Sequence, residues 1–366
     1  MQKILIVGMT GNPGGMEAFL RNVNFGLKSK AISFDYLSTD TPIAFQNDLR
    51  CSDTSFYTLP HRKKHPIAFK KCMKDFFAIN AAKYDAIWFN TCSLCNLLYL
   101  KYAMRYGIKR RIVHCHNSSN MEGFLSGLRH AVNKKFVSKY ATDYWSCSDE
   151  ASKWFFGEKI MRMDSYRVIN NAIYPEHFAF DSNVRRKIRS SLSISDDAIV
   201  LGNVGRLHFQ KNQSFLIRIL EKLNNSDKKY YLLVVGEGEL REELTDLARK
   251  LKVDNYLYLI GAVDETSIYY QAMDAFVFPS VFEGLPIAFL EAQANGLPCF
   301  VSDAVSREAV VNENVERLSI DEGDISKWVD SIRVSKLKRL SETENRMFGG
   351  RYDMKTQASA IAALLN

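Results

Sequence analysis

The chain reads as α/β, with two Rossmann-like doubly wound domains, on three observations. Short apolar runs alternate with longer amphipathic stretches, the pattern of βαβ units and a mostly parallel sheet. The pattern breaks in a polar, charged segment and starts again at about residue 198. At 366 residues the chain has room for two domains, each with its own core. An apolar content of 46% and a charged content of 25% exclude collagen-like, disordered and disulfide-framework classes.

In the first half KILIVG is a strand, followed by a Gly-rich turn and a helix from about Gly15 to Lys28. AISFDYLS and YDAIWFN are strands, and a helical stretch runs through Leu97, Tyr99 and Met104. RRIVHCH is a strand, a helix lies around Lys134 to Lys139, and DYWSCS follows. The second half repeats the order. AIVLGNVGRL is a strand and loop, NQSFLIRILEKL a helix, YYLLVVGEG a strand, ELREELTDLARKL a helix, and YLYLIGAV a strand. DAFVFPS is the next strand, EGLPIAFLEAQANG a loop entering a helix, and PCFVSD another strand. Asn170 to about Ser195, with Pro175 and a charged run, reads as the hinge. Asp353 to Leu365 reads as a final amphipathic helix. In such sheets ligands bind beyond the carboxyl ends of the strands, so two domains facing one another would line one central cleft.

The longest uncharged stretch, Ala86 to Leu100, is 15 residues and contains four polar ones, too short to span a bilayer. The apolar run before the first glycine is too short for a secretory segment, and seven irregularly spaced cysteines fit reduced thiols, so a cytoplasmic protein is expected. Charge is uneven. Residues 1–180 carry a net +11 and residues 181–366 a net −3, with +13 between Arg62 and Lys139 alone. A one-sided basic surface fits an anionic partner or simply a solvated face.

Five groups of residues carry candidate chemistry. Gly11 to Glu17 follows the first strand. Its Gly14 and Gly15 allow close backbone approach, and the following helix N-terminus suits an anion, although a plain turn has the same look. Gly236-Glu237-Gly238 has two glycines of a dinucleotide fingerprint, but Arg241 replaces the third. Gly238 lines either a phosphate site or an ordinary turn. Arg206 and Lys211, five apart on a loop at a strand's carboxyl end, can both aim at one diphosphate. Glu283, Gly284, Leu285, Pro286 and Ile287 form a loop entering a helix whose first N–H groups suit a phosphate. Glu291 lies among apolar neighbours and wants a donor, either a ribose diol or the backbone. His114 and His116 share one face of a strand, and His116 at its end suits a substrate contact better than a metal. Cys92-Ser93-Leu94-Cys95 has no second pair, no two aspartates are separated by one residue, and no P-loop occurs. No metal ligand set is expected.

Together these residues resemble the retaining GT-B glycosyltransferases of family 4, especially those of exopolysaccharide and capsule synthesis. The resemblance covers nearly the whole chain and is most specific at Glu283 to Glu291, an E-x7-E segment. Asn203 to Leu207 with Lys211-Asn212, and Gly14-Gly15-Met16-Glu17, also match. It implies a first domain of residues 1–168 on the acceptor side, a nucleotide-sugar-binding domain of 169–349, and a helix at 350–366 packing back on the first. Arg206 and Lys211 would bind the donor diphosphate, Gly15 a donor phosphate, Glu291 the ribose, and Glu283 and His116 the transferred sugar. It further implies a hexosyl transfer with retention from a nucleotide sugar, a UDP-sugar by what is common in similar enzymes, without metal or other cofactor. The acceptor would be a saccharide or lipid-linked saccharide of bacterial surface polysaccharide synthesis, not nucleic acid. His61 to Lys64 and Lys109 to Arg111 would then dock on the anionic inner face of the plasma membrane. Ala172, Tyr174 and the loop Ser302 to Glu308 depart from the family pattern. A nucleotide-sugar epimerase, or a non-catalytic nucleotide-sugar-binding protein of the same fold, is the alternative.

Overall fold

The strands are short, rich in β-branched and aromatic residues, and largely buried on both faces, as a parallel sheet with helices on both sides requires. The computed structural model describes residues 2–28, 30–117, 123–225, 228–283 and 285–365. It divides into two units, one of Met1–Ala172 with Met354–Asn366 and one of Ile173–Asp353.

The first unit holds β1 (Gln2–Val7), β2 (Ile32–Ser38), β3 (Phe56–Thr58), β4 (Ala86–Thr91), β5 (Arg110–Cys115), β6 (Asp143–Ser146) and β7 (Tyr166–Val168). All are parallel, in the order β3-β2-β1-β4-β5-β6-β7. The second holds β8 (Ile199–Val204), β9 (Tyr230–Val235), β10 (Leu257–Gly261), β11 (Ala275–Phe278), β12 (Cys299–Ser302) and β13 (Val315–Leu318). Its order is β10-β9-β8-β11-β12-β13, again all parallel. Both sheets therefore reverse direction of growth between their first and fourth strands, β1/β4 and β8/β11. That reversal opens a crevice at the strands' carboxyl ends where ligands of such sheets bind.

In the first unit Leu5, Val7, Ile87, Phe89 and Val113 pack on one side with Phe69, Met73 and Phe77 of the helix Pro66–Asn80. On the other, Phe19 of the helix Gly15–Leu27 meets Trp88 and His114 edge-on. The helix Met354–Leu365 packs beside Gly15–Leu27. The second unit's core gathers Leu232, Val234, Val277 and Trp328 with Phe215 and Leu216 of the helix Gln213–Leu223.

Three sequence expectations change. The segment read as a hinge contains the helix Ser182–Ser191, N-capped by Asp181, whose carboxylate accepts from Asn183 N and Val184 N. Its polarity misleads because Arg185 and Arg189, one turn apart, both bond Asp274 while Arg189 is fully buried. The two units part between Ala172 and Ile173, four residues beyond the expected 168/169 border, and the returning helix starts at Met354. Arg110 and Arg111 are not surface cations awaiting a membrane. Arg110 ion-pairs with Asp143 and donates to the carbonyls of Leu364 and Leu365. Arg111 donates to the carbonyls of Tyr140, Ile108 and Lys109. Arg110 thus supplies the orphan carbonyls at the returning helix's end with donors.

Candidate functional site

In the second unit Asn203, at the end of β8, donates from Nδ2 to Val277 O of β11 at 2.9 Å and closes the reversal. The chain then turns at Gly205, whose φ of +153° suits glycine, and forms the short turn Phe209–Lys211. Gln210 straps this turn to the loop after β11. Its Nε2 donates to Phe282 O at 2.9 Å, and its carbonyl accepts from Val281 N at 2.8 Å. Lys211 and Glu283 are thereby brought together, Nζ to Oε1 at 2.6 Å. The lysine stem lies on Gly205, where a Cβ would come 3.1 Å from Lys211 Cε. The ammonium stands 4.9 Å from the Phe278 ring centroid. Two residues 72 positions apart meet as a largely buried ion pair at the sheet's switch point.

The neighbouring residues are placed differently. Arg206 is mostly exposed and bonds Glu239 Oε2 at 2.9 Å, with His208 Nε2 3.4 Å from the other carboxylate oxygen. The carboxyl of Glu239 is held below its ordinary pKa by hydrogen bonding to its own N–H first and by Arg206 and His208. A Cβ on Gly238 would lie 2.2 Å from Leu207 O, so the close approach that requires glycine there is to the protein's own backbone. Pro286 is the N-cap of the helix Ile287–Ala294, one position before the first turn expected for it. Its carbonyl accepts from Phe289 N at 3.2 Å and Leu290 N at 3.3 Å, and Leu285 and Ile287 are buried beside it. Gly284 lies outside the described residues. Glu291 Oε2 accepts from the Tyr270 hydroxyl at 2.8 Å, and burial, reinforced by this carboxylate, pushes the phenol well up.

In the first unit Gly14 is the N-cap of the helix Gly15–Leu27. Two acids pin its loop. Glu17 Oε1 accepts from Thr10 N at 3.1 Å and Thr10 Oγ1 at 2.9 Å, and Asp40 Oδ2 accepts from Gly11 N at 2.8 Å. Burial raises the pKa of Glu17, and the Thr10 bonds oppose it. The histidines share a face as their spacing requires. Their ring centroids are 4.2 Å apart, while Cys115 between them joins the opposite core. His116 Nε2 lies 3.0 Å from Asn90 Oδ1, at the end of β4. Because that amide oxygen accepts, His116 donates, and the neutral ring suffices. Burial pushes His116 down to about 3 and His114 well below the usual range.

Sequence reasoning missed Asn90, Gln210 and Tyr270. The signal available for Asn90 was a polar residue near the carboxyl end of an apolar strand. Nothing local marked Gln210 or Tyr270, whose partners lie 72 and 21 residues away.

Residues 184–348 match the family described as glycosyl transferases group 1. The match lies within the second unit. Lys211, Glu283, Arg206 and Glu291 all fall inside it. The chain is 27% identical over 337 residues to a putative glycosyltransferase EpsF of Bacillus subtilis, covering 90% of this chain and 87% of that protein. It is 31% identical over 178 residues to a UDP-Gal:alpha-D-GlcNAc-diphosphoundecaprenol alpha-1,3-galactosyltransferase of Escherichia coli, 48% of this chain and 46% of that one. Among solved structures, HepE of Anabaena, in complex with UDP and glucose, superposes with a TM-score of 0.81 at 19% identity, covering 100% of this chain and 99% of that one. WaaG, a glycosyltransferase of lipopolysaccharide biosynthesis, gives 0.77 at 15% identity over 99% of both chains. The chain thus has the GT-B fold, with two Rossmann-like α/β units.

Proposed function

We propose that this glycosyltransferase transfers a hexosyl group, with retention, from a UDP-sugar to a saccharide or lipid-linked saccharide in bacterial surface polysaccharide synthesis. The observation that carries the reading is the Lys211–Glu283 pair at the β8/β11 switch point. One of the three ammonium donors of Lys211 goes to Glu283, and two remain to meet a diphosphate. As the bond from anomeric carbon to phosphate oxygen breaks, negative charge grows on the departing diphosphate. A fixed cation and a helix N-terminus stabilise that charge without needing a metal. Glu283 then sets the position of Lys211 and receives a hydroxyl of the transferred sugar. It is not a covalent nucleophile, and the acceptor hydroxyl attacks from the face the leaving group departs. Arg206 would leave Glu239 for the donor phosphate, Glu291 with Tyr270 would meet the ribose, Gly15 would contact a donor phosphate and neutral His116 the transferred sugar. Similarity to a UDP-Gal-dependent galactosyltransferase and to a structure in complex with UDP supports a uridine donor. We place the enzyme peripherally on the cytoplasmic face of the membrane, where a lipid-linked acceptor resides.

Thermal shift with UDP, GDP, ADP and NADH in EDTA tests this. Saturation at 100 times the dissociation constant adds about 2.7 kcal/mol, readily seen. A shift with UDP that persists in EDTA and disappears in Lys211→Ala is the expected result. A shift with NADH alone, or with none of the four, would overturn it. Turnover lost in Glu283→Ala while UDP still binds would speak against a non-catalytic binding protein.

A further inference from the structure

The helix Phe124–Lys134 is turned inside out. Ser126, His130, Asn133 and Lys134 turn toward the protein, while its large apolar side chains face solvent. His130 is buried, with Nδ1 accepting from Leu94 N at 3.1 Å and its ring stacked on Trp154 at 4.0 Å. Asn133 Nδ2 donates to Leu94 O at 2.6 Å, Ser126 Oγ lies 3.3 Å from Cys95 Sγ, and Lys134 Nζ donates to the carbonyls of Lys153 and Trp154. On the opposite side Phe124, Leu125, Leu128, Val132 and, just past the helix, Phe136 are between 49% and 84% exposed. At about 100° per residue these five fall within an arc of roughly 120°, a continuous stripe. A contiguous exposed apolar patch of this kind marks an interaction surface.

We infer that this stripe inserts into the headgroup region of an anionic lipid bilayer. Charge selects the partner. Residues 123–142 contain Arg129, Lys134, Lys135 and Lys139 and no acidic residue. Lys134 is turned inward, while Arg129, Lys135 and Lys139 are exposed around the stripe. An apolar face rimmed by cations is what an interfacial helix presents to anionic headgroups. A second copy of this chain docked on the same face would set these cations against one another. The inference also relocates the membrane contact from Lys109–Arg111, whose two guanidinium groups are spent on internal carbonyls. Among the described residues no helix is long and apolar enough to cross a membrane, so this contact is a surface one.

The inference rests on the membrane part of the function proposed above, but its readout needs neither donor nor turnover. The full chain is sedimented with vesicles of phosphatidylcholine alone and with vesicles containing about a third phosphatidylglycerol. Binding to the anionic vesicles only is expected, weakened at least about tenfold in a Phe124→Ser, Leu128→Ser variant and unchanged in Ile79→Ser, an exposed apolar residue on another helix. Arg129→Gln with Lys135→Gln is expected to weaken it too and to flatten its dependence on salt. A cooperative melt near the wild-type temperature in every variant shows that they are folded and keeps failure here separate from failure of the transferase reading. The inference is overturned if the wild-type chain ignores anionic vesicles or the double-serine variant binds as wild type does. It is equally overturned if the serine pair abolishes self-association instead, which would make the face a protein interface.

Discussion

Replacing Lys211 by Met separates the structural from the chemical part of the central ion pair. The lysine and glutamate side chains are 17% and 8% exposed and 2.6 Å apart, so removing the ammonium strands a carboxylate in a mostly dry place. Breaking a buried pair from one side costs roughly 3–5 kcal/mol, and the residual water access of Lys211 puts this case near 3. Lys211→Met with Glu283→Gln removes both charges and should cost only about 1 kcal/mol, about 2 less than the single variant. Native-state hydrogen exchange of the β8 and β11 amides reads this in the second unit alone, which matters because two units need not unfold together. Transfer activity should be absent in both variants, since both lack the cation. A single variant within about 0.5 kcal/mol of wild type, or a double variant as unstable as the single, would refute the buried-pair argument.

Asp274→Asn should destabilise the second unit by about 3–5 kcal/mol, because buried Arg189 loses its counter-charge; urea denaturation checks this. Arg110→Ala should cost about 1–3 kcal/mol and speed exchange and proteolysis of the helix Met354–Leu365 before any other region. Gly236→Ala places a Cβ about 2.1 Å from Gly205 O at a φ of +141°, so a loss of more than about 1 kcal/mol is expected in a thermal melt. Acid should weaken the first unit between pH 6.5 and 3. His116, pushed down to about 3, stays neutral when folded but protonates when unfolded. Its contribution is therefore complete above 6.5 and falls by roughly 2 kcal/mol by pH 5. His116→Asn should flatten that limb of the stability curve.

The doubly wound order was legible because alternation of apolar runs and amphipathic stretches is a local property, and β1, β2, β4, β5, β6 and β8 to β12 each show it. β3, β7 and β13 escaped because three or four residues at or near a sheet edge, half-exposed, carry no period. The helix Ser182–Ser191 escaped because its guanidinium groups find their carboxylate about 85 residues away, and no window of sequence contains both. The same reason limits the site. Lys211 and Glu283 could each be singled out by loop position, but their contact is made by Gln210 strapping two loops together. Arg206 was legible as a cation on the right loop, whereas its tie to Glu239 was not. The stripe from Phe124 to Phe136 has helical spacing, which in sequence reads as core; only the hydrogen bonds of His130 and Asn133 reveal which side faces inward.

Gln2 donates from Nε2 to the carbonyl of Leu365, 363 positions later. The first unit is thus written in two instalments, with the whole second unit between them. During synthesis the helix that covers Gly15–Leu27 arrives only after the second unit is finished. A product cut short before Met354 would hold a completed second unit and a first unit with the seats of Met354, Ile361 and Leu365 bare. Such a fragment would expose apolar surface and be easily degraded.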